Sequence, residues 1–268
     1  MQHHRVNGYD LAYIELGHGA PLVCVHGTLG DFRVWSPVMG PLSQSHRVIS
    51  LSLRHFFPEH WDGIGSDYTI AQHVADVIAF IEALGTGPVD LMGHSRGGHI
   101  AFRVAQQRPD LLRRLVLAEP GGDIDASLAP ADTPPPPPSF GTRYNAAADC
   151  IRGNDIDGAL TLFSEIVGLP WAGIPATVRQ TWRDNARTLL GQINEQRRPF
   201  SRSDAEGISV PTLFVLGADT PGPLPRVLRA LAAHVPNSRT AIIPDARHFM
   251  FEDDPVRYSA EVLKFLGE

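Results

Sequence analysis

The stretch LMGHSRGG (91–98) sets Ser95 between Gly93 and Gly97, with Gly98 beside it. A serine on so tight a turn needs small neighbours, because the flanking backbones approach closely around a strained residue. Such a turn pushes the hydroxyl out and aims the next helix N-terminus at developing negative charge. A hydroxyl held this way can attack an acyl carbon if a base takes its proton. Of the twelve histidines, His248 in PDARHFMFEDDP (244–255) stands out by position, between the last apolar run and the last helical pattern. His26 and His94 lie inside motif loops and are expected to pack or hydrogen-bond locally. His55, His60, His73, His99 and His234 show no metal-ligand spacing, so no metal site is expected.

A serine–histidine pair needs a third group to fix the imidazole tautomer and stabilise its charged form. Two carboxylates compete. Asp219 ends the apolar run VPTLFVLGAD, and Glu119 ends LRRLVLAE just before Pro-Gly-Gly. A carboxylate at an apolar strand end wants a partner. For Glu119 that partner is either the histidine or an arginine at the base of an inserted unit. On the residues alone both stay open.

These residues need a scaffold, and the chain supplies alternating elements. GYDLAYIELG alternates apolar and polar residues, as an early antiparallel strand does. PLVCVHG (21–27), HRVISLSL (46–53), GPVDLMGHS (87–95), LRRLVLAEP (112–120), VPTLFVLG (210–217) and RTAIIPDA (239–246) are near-continuous apolar runs, the pattern of strands covered on both faces. Between them TIAQHVADVIAFIEALG reads as an amphipathic helix, with Thr69 and Gln72 in a capping-box pattern and Gly85 as its stop. The last helix starts at Pro255 with Asp254 as N-cap. This alternation predicts an α/β protein with a doubly wound, mostly parallel sheet.

From about 121 to 207 no strand is expected. The segment opens with the polyproline stretch TPPPPPS (133–139), read as a stiff spacer. Helix-like patterns follow in IDGALTLFSEIVG and PATVRQTWRDNARTLLGQI. Residues 1–120 and 208–268 are therefore expected to form the core domain and 121–207 a helical cap. Phe163, Trp171 and Trp182 are candidates to line an apolar cleft beneath it. In the loop SLRHFFPEHWDGIGSDYT (52–69), Phe56, Phe57 and Trp61 are expected to cover the sheet edge rather than wall an acyl pocket.

The bulk composition suits this reading. The 268 residues are 43% apolar and 19% charged, enough for a sizeable core. A formal charge of −6 without a basic run gives no reason to expect nucleic acid or an anionic membrane as partner. Two cysteines, Cys24 and Cys150, make a disulfide framework unexpected, and a cytoplasmic location is the expectation.

The arrangement resembles the α/β-hydrolase superfamily over nearly the whole chain. The resemblance rests on GHSRGG between strand and helix, on HGTLGD (26–31) at the end of an early strand, on PDARHFMFEDDP after the last strand, and on the place of the helical insertion. It implies Ser95 as nucleophile, His248 as general base, and the backbone N–H groups of Thr28 and Arg96 as the oxyanion hole. Most of the superfamily place their acid in a Gly-x-x-Asp pattern after the seventh strand. Here the third residue after Gly217 is Thr220, and Asp219 comes one residue early. Some branches, among them haloalkane dehalogenases and zearalenone-type lactonases, take the acid from the end of the sixth strand, where Glu119 stands, so Glu119 is favoured as the acid, with Asp219 the alternative. The implied activity is hydrolysis of a small-molecule carboxylic ester or lactone through an acyl-enzyme, without a cofactor. A carbon–carbon bond hydrolase of the meta-cleavage type and a slow or inactive binding protein are the alternatives.

Overall fold

The computed structural model describes residues 1–129 and 144–268, so the polyproline stretch lies outside the described residues. Eight strands form one sheet in the order β1-β2-β4-β3-β5-β6-β7-β8. They are β1 (Gln2–Val6), β2 (Tyr9–Leu16), β3 (Ala20–Val25), β4 (His46–Leu51), β5 (Val89–His94), β6 (Leu112–Ala118), β7 (Thr212–Gly217) and β8 (Ser238–Ile243). β1 pairs antiparallel with β2, and β2 with β4. All other pairings are parallel. β1 is an addition to the seven strands expected. It is mostly exposed, so no apolar run marks it.

The continuous apolar runs of β3 to β7 are explained by burial on both faces, with alternate residues pointing each way, whereas β8, expected to be covered likewise, is the edge strand and leaves Ile242 exposed. Val23, Val25, Leu91, Leu115, Leu117 and Phe214 enter one core, and Leu22, Cys24, Met92, Val116, Leu213 and Val215 enter the other. Helices α2 (Ile70–Leu84), α3 (Arg96–Gln107) and α9 (Leu224–Ala232) cover the first face, and α1 (Ser36–Leu42), α10 (Met250–Asp253) and α11 (Pro255–Leu266) cover the second. Burying one such side chain fully contributes about 1.5–3 kcal/mol. The Thr69 hydroxyl accepts the Gln72 N–H at 3.0 Å and Gly85 closes α2 in the left-handed region. The box is only half formed, because the Gln72 side chain donates to Asp76 instead of turning back.

Between β6 and β7 lie α4 (Asn145–Arg152), α5 (Ile156–Ile166), α6 (Ala176–Asp184), α7 (Thr188–Gln192) and α8 (Arg202–Glu206). An isolated parallel bridge, Ile124 to Phe200, closes the neck of this helical insertion. Two of the loop aromatics are core: Phe56 packs edge-on against His26, and Trp61 stacks between His55 and Tyr68, whereas Phe57 is half-buried beside Phe32 and the Arg33 guanidinium. The wrap of the sheet brings the carboxyl ends of β3, β5, β6, β7 and β8 side by side. Thr28, Ser95, Glu119, Thr220 and His248 each follow one of those ends.

Candidate active site

Ser95 sits at φ 51°, ψ −117°, between β5 and α3. Holding a non-glycine residue there costs about 1–3 kcal/mol and requires surroundings that over-determine it. Its N–H donates to Ala118 O at 3.0 Å, and its carbonyl accepts from Gly121 N at 2.8 Å and His99 N at 3.1 Å. The flanking glycines are a packing requirement. A Cβ on Gly93 would stand 2.3 Å from Gly97 O, and one on Gly97 would stand 2.2 Å from Val25 O. Arg96 opens α3, so its N–H is among the first-turn amides left without an intrahelical acceptor. Thr28 follows Gly27, which packs against the elbow: a Cβ there would lie 3.0 Å from Ser95 Cβ. The turn closes by Gly30 N–H to Gly27 O at 3.2 Å, a bond that does not use the Thr28 N–H.

His248 and Glu119 meet directly. His248 Nδ1 lies 2.6 Å from Glu119 Oε2, and both side chains are buried, at 2% and 0% residue exposure. An ionised carboxylate only accepts, so Nδ1 carries the proton and Nε2 is left as the basic nitrogen. Oε1 of Glu119 accepts from Gly217 N at 2.9 Å and from the Thr220 hydroxyl at 2.6 Å. Asp219, by contrast, is exposed, and its N–H donates to Ala246 O at 2.9 Å. Among the described residues Glu119 pairs with His248 and with no arginine. Glu195 instead takes the arginine at the elbow, Arg96.

Ser95, His248 and Thr28 share the wall of a cavity of about 40 Å³. Phe163, Ile166, Val167 and Tyr144 supply its roof, and Thr220, Pro221, Leu224 and Phe249 its sides. Among the described residues no Asp, Glu, Lys or Arg lines it. Behind Phe249 lies a second cavity of about 280 Å³, bounded by Leu169, Ile174, Val178 and Trp182 and rimmed by Arg247, Glu252 and Asp253. The three candidate cleft residues therefore separate. Phe163 lines the cavity at Ser95 and Trp182 the adjoining one. Trp171 lines neither and stacks on Trp182, with the Arg179 and Arg183 guanidiniums near its ring. That is a correction, and its cause is the short turn at 171–173, which lays the indole on the outer face of Trp182.

Sequence reasoning missed several residues here. Thr220 could have been noticed, since it fills the third place after Gly217. His94 is expected to bond locally but reaches farther, its Nε2–H donating to His248 O at 2.8 Å and holding the histidine's backbone. Phe249 carries no signal beyond being next to His248.

Four buried histidines are neutral supports. Burial pulls His26 down to about 4 and His73, His94 and His99 well below the ordinary value. His26 fits that state: Nδ1–H donates to Gly27 O at 2.8 Å and Nε2 accepts from Leu53 N at 3.0 Å. Below pH 6.5 the unfolded chain takes up protons at these sites while the folded chain does not, so stability must fall as pH falls. The loss from His26 alone runs from pH 6.5 to about 4 and reaches about 3 kcal/mol. We expect Tm to drop steeply across that window in calorimetry, and His73→Phe to make the drop shallower. A Tm independent of pH from 6.5 to 4 would contradict the assignment.

Among the described residues no three His, Cys, Asp or Glu side chains converge to hold a metal ion, and no helix is long and apolar enough to cross a membrane.

Comparison with known proteins bears on the fold and the family. A thermophilic esterase from Thermogutta terrifontis superposes with a TM-score of 0.77 at 24% identity, over 96% of this chain and 93% of its own. The enol-lactonase from Burkholderia xenovorans LB400 superposes with a TM-score of 0.79 at 21% identity, over 99% of this chain and 100% of its own. By sequence, an sn-1-specific diacylglycerol lipase of Mus musculus is 27% identical, covering 92% of this chain and 80% of that protein. The profile of the alpha/beta hydrolase family matches residues 22–261, which include Ser95, Glu119 and His248. The chain belongs to the alpha/beta hydrolase family.

Proposed function

We propose that the protein is a serine hydrolase that cleaves a small, uncharged carboxylic ester or lactone through an acyl-enzyme. The observation that carries this is the buried Glu119–His248 pair sharing a cavity with a strained, glycine-flanked serine. In this reading His248 Nε2 takes the Ser95 proton as the hydroxyl attacks the acyl carbon. The oxyanion meets the N–H groups of Thr28 and Arg96, and the imidazolium returns its proton to the leaving oxygen. Water then repeats the sequence on the acyl-enzyme and releases the acid. The lipase, esterase and enol-lactonase among the similar proteins support acyl transfer as the class of reaction.

The walls support the substrate class. A cavity of about 40 Å³ without charged side chains among its described lining favours a short, neutral acyl group. Phe249 bounds both this space and the larger apolar one beyond it. The test is acid release in a pH-stat across aliphatic esters of increasing chain length, lactones and a vinylogous diketone. Wild type is expected to prefer short acyl groups. Phe249→Ala is expected to join the cavities and raise kcat/KM for acyl chains of about eight carbons by about 10-fold relative to acetyl esters. Turnover confined to the diketone would make the protein a carbon–carbon hydrolase. No acid from any compound would put the binding-protein reading first.

A further inference from the structure

One stretch of the insertion, residues 184–195, is tied to the loop that carries Thr28 by polar contacts that are mostly buried. Asn185 Nδ2 donates to Asp31 Oδ2 at 2.7 Å and to Leu29 O at 3.4 Å, and its Oδ1 accepts the Phe57 N–H at 2.7 Å. The Thr28 hydroxyl donates to Gln192 Oε1 at 3.0 Å. Glu195 accepts from Arg96 and, at 2.8 Å, from Arg197. Asp184 pairs with Arg33 at 2.8 Å, and Arg33 in turn pairs with Asp31 at 2.6 Å. Asn185, Gln192, Asp31 and Arg96 are each at most 1% exposed.

The loop these contacts hold is uncomfortable by itself. Leu29 is fully buried at φ 59°, a conformation that bulky residues avoid. The local bonds of Gly27–Gly30 both end on Gly27 O, from the Gly30 N–H and from His26 Nδ1–H, and neither holds Leu29 directly. Asn185 grips the loop on one side of Leu29, and Gln192 grips it on the other through Thr28. Glu195 fixes the side chain of Arg96, whose N–H is the other expected oxyanion donor. The amide orientation of Asn185 is set by its partners, since the Phe57 N–H requires an oxygen and the Asp31 carboxylate requires a donor.

We infer that Asn185, Gln192 and Glu195 are positioning residues that hold both oxyanion amides in place from the helical insertion. The 184–195 stretch is then a fixed clamp rather than a swinging lid, since lifting it would strand the Arg96 guanidinium and leave Asp31 with Arg33 alone. The inference rests on the serine-hydrolase reading above. It differs from it in locating part of the catalytic geometry outside the sheet domain.

The experiment uses Thr28→Val, Gln192→Met and their double variant, with Asn185→Leu alongside. Each is read by kcat and KM on a short ester, by the affinity of an alkyl boronic acid and by Tm. The boronate forms a tetrahedral adduct on the serine and so reports on the oxyanion amides. The clamp predicts that kcat and boronate affinity fall together by about 10- to 100-fold while KM barely moves. The Thr28/Gln192 double variant should be no worse than either single change, because both remove one hydrogen bond. Unchanged kcat and boronate affinity with a lowered Tm would overturn the clamp and leave the serine hydrolase standing. A rise in KM alone would do the same. A wild-type protein that neither cleaves esters nor binds the boronate would overturn the serine-hydrolase reading, and the clamp with it.

Discussion

Ser95→Ala is expected to lower kcat for the best ester by about 10⁶ while leaving the protein folded. The size of the loss follows from the chemistry. Without the hydroxyl no acyl-enzyme forms, and a water would have to attack directly from a cavity shaped around the serine oxygen. What remains is whatever binding and the oxyanion amides still contribute, about 10³–10⁴ over water in enzymes of this type. The fold should hold because the strained turn is kept by backbone bonds. The Ser95 N–H to Ala118 and the Ser95 carbonyl to Gly121 and His99 are untouched by the change. The measurement is initial acid release with Tm as the control, together with labelling by a serine-reactive phosphonate. Residual activity within about tenfold of wild type would show that another group attacks. A folded, inactive variant that still took up the phosphonate would place the reactive oxygen elsewhere.

Much of this site was readable from local pattern, because its parts are dictated by neighbours in sequence. GHSRGG encodes an elbow through backbone contacts that forbid a Cβ at Gly93 and Gly97. The runs of β3 to β7 are legible because both faces are buried, and Thr69 and Gly85 bracket α2 because caps act over three or four residues. Glu119 was legible for another reason: a carboxylate at the end of an apolar strand must be paired, which made it a candidate before its partner was visible. Contacts across long separations leave no such trace. Thr28 and Gln192 stand 164 residues apart, and Asn185 and Asp31 154, so periodicity cannot pair them. The Gln72 side chain had two destinations within reach, and Asp76, one turn ahead, won over the helix end. Trp171 looked like a cleft residue by type, but its side depended on the turn that precedes α6.

Glu119→Gln is expected to lower kcat by about 10⁴, and Asp219→Asn to change it by less than about threefold. The difference follows from what each carboxylate touches. Glu119 Oε2 fixes the proton on His248 Nδ1, and its negative charge offsets the imidazolium that forms when the serine is deprotonated. A glutamine keeps the shape and can still accept from Gly217 N and Thr220 through its carbonyl. Its amide nitrogen would then face Nδ1 and favour the tautomer with the proton on Nε2, which cannot accept from Ser95. Asp219 is exposed at the neighbouring strand end, where loss of its charge reaches the histidine only through solvent. A third variant separates loss of the acid from local disruption. The Thr220 hydroxyl sits 2.6 Å from Glu119 Oε1, so an aspartate at 220 would bring a carboxylate to the same neighbourhood from the end of β7. In the Glu119→Gln background, Thr220→Asp is expected to recover about 10- to 100-fold of kcat. In wild type it should instead set two carboxylates against each other, raise the pKa of one, and cost activity near neutral pH. If Asp219→Asn is the crippled variant and Glu119→Gln is not, the acid belongs to β7 and the buried Glu119–His248 bond is structural.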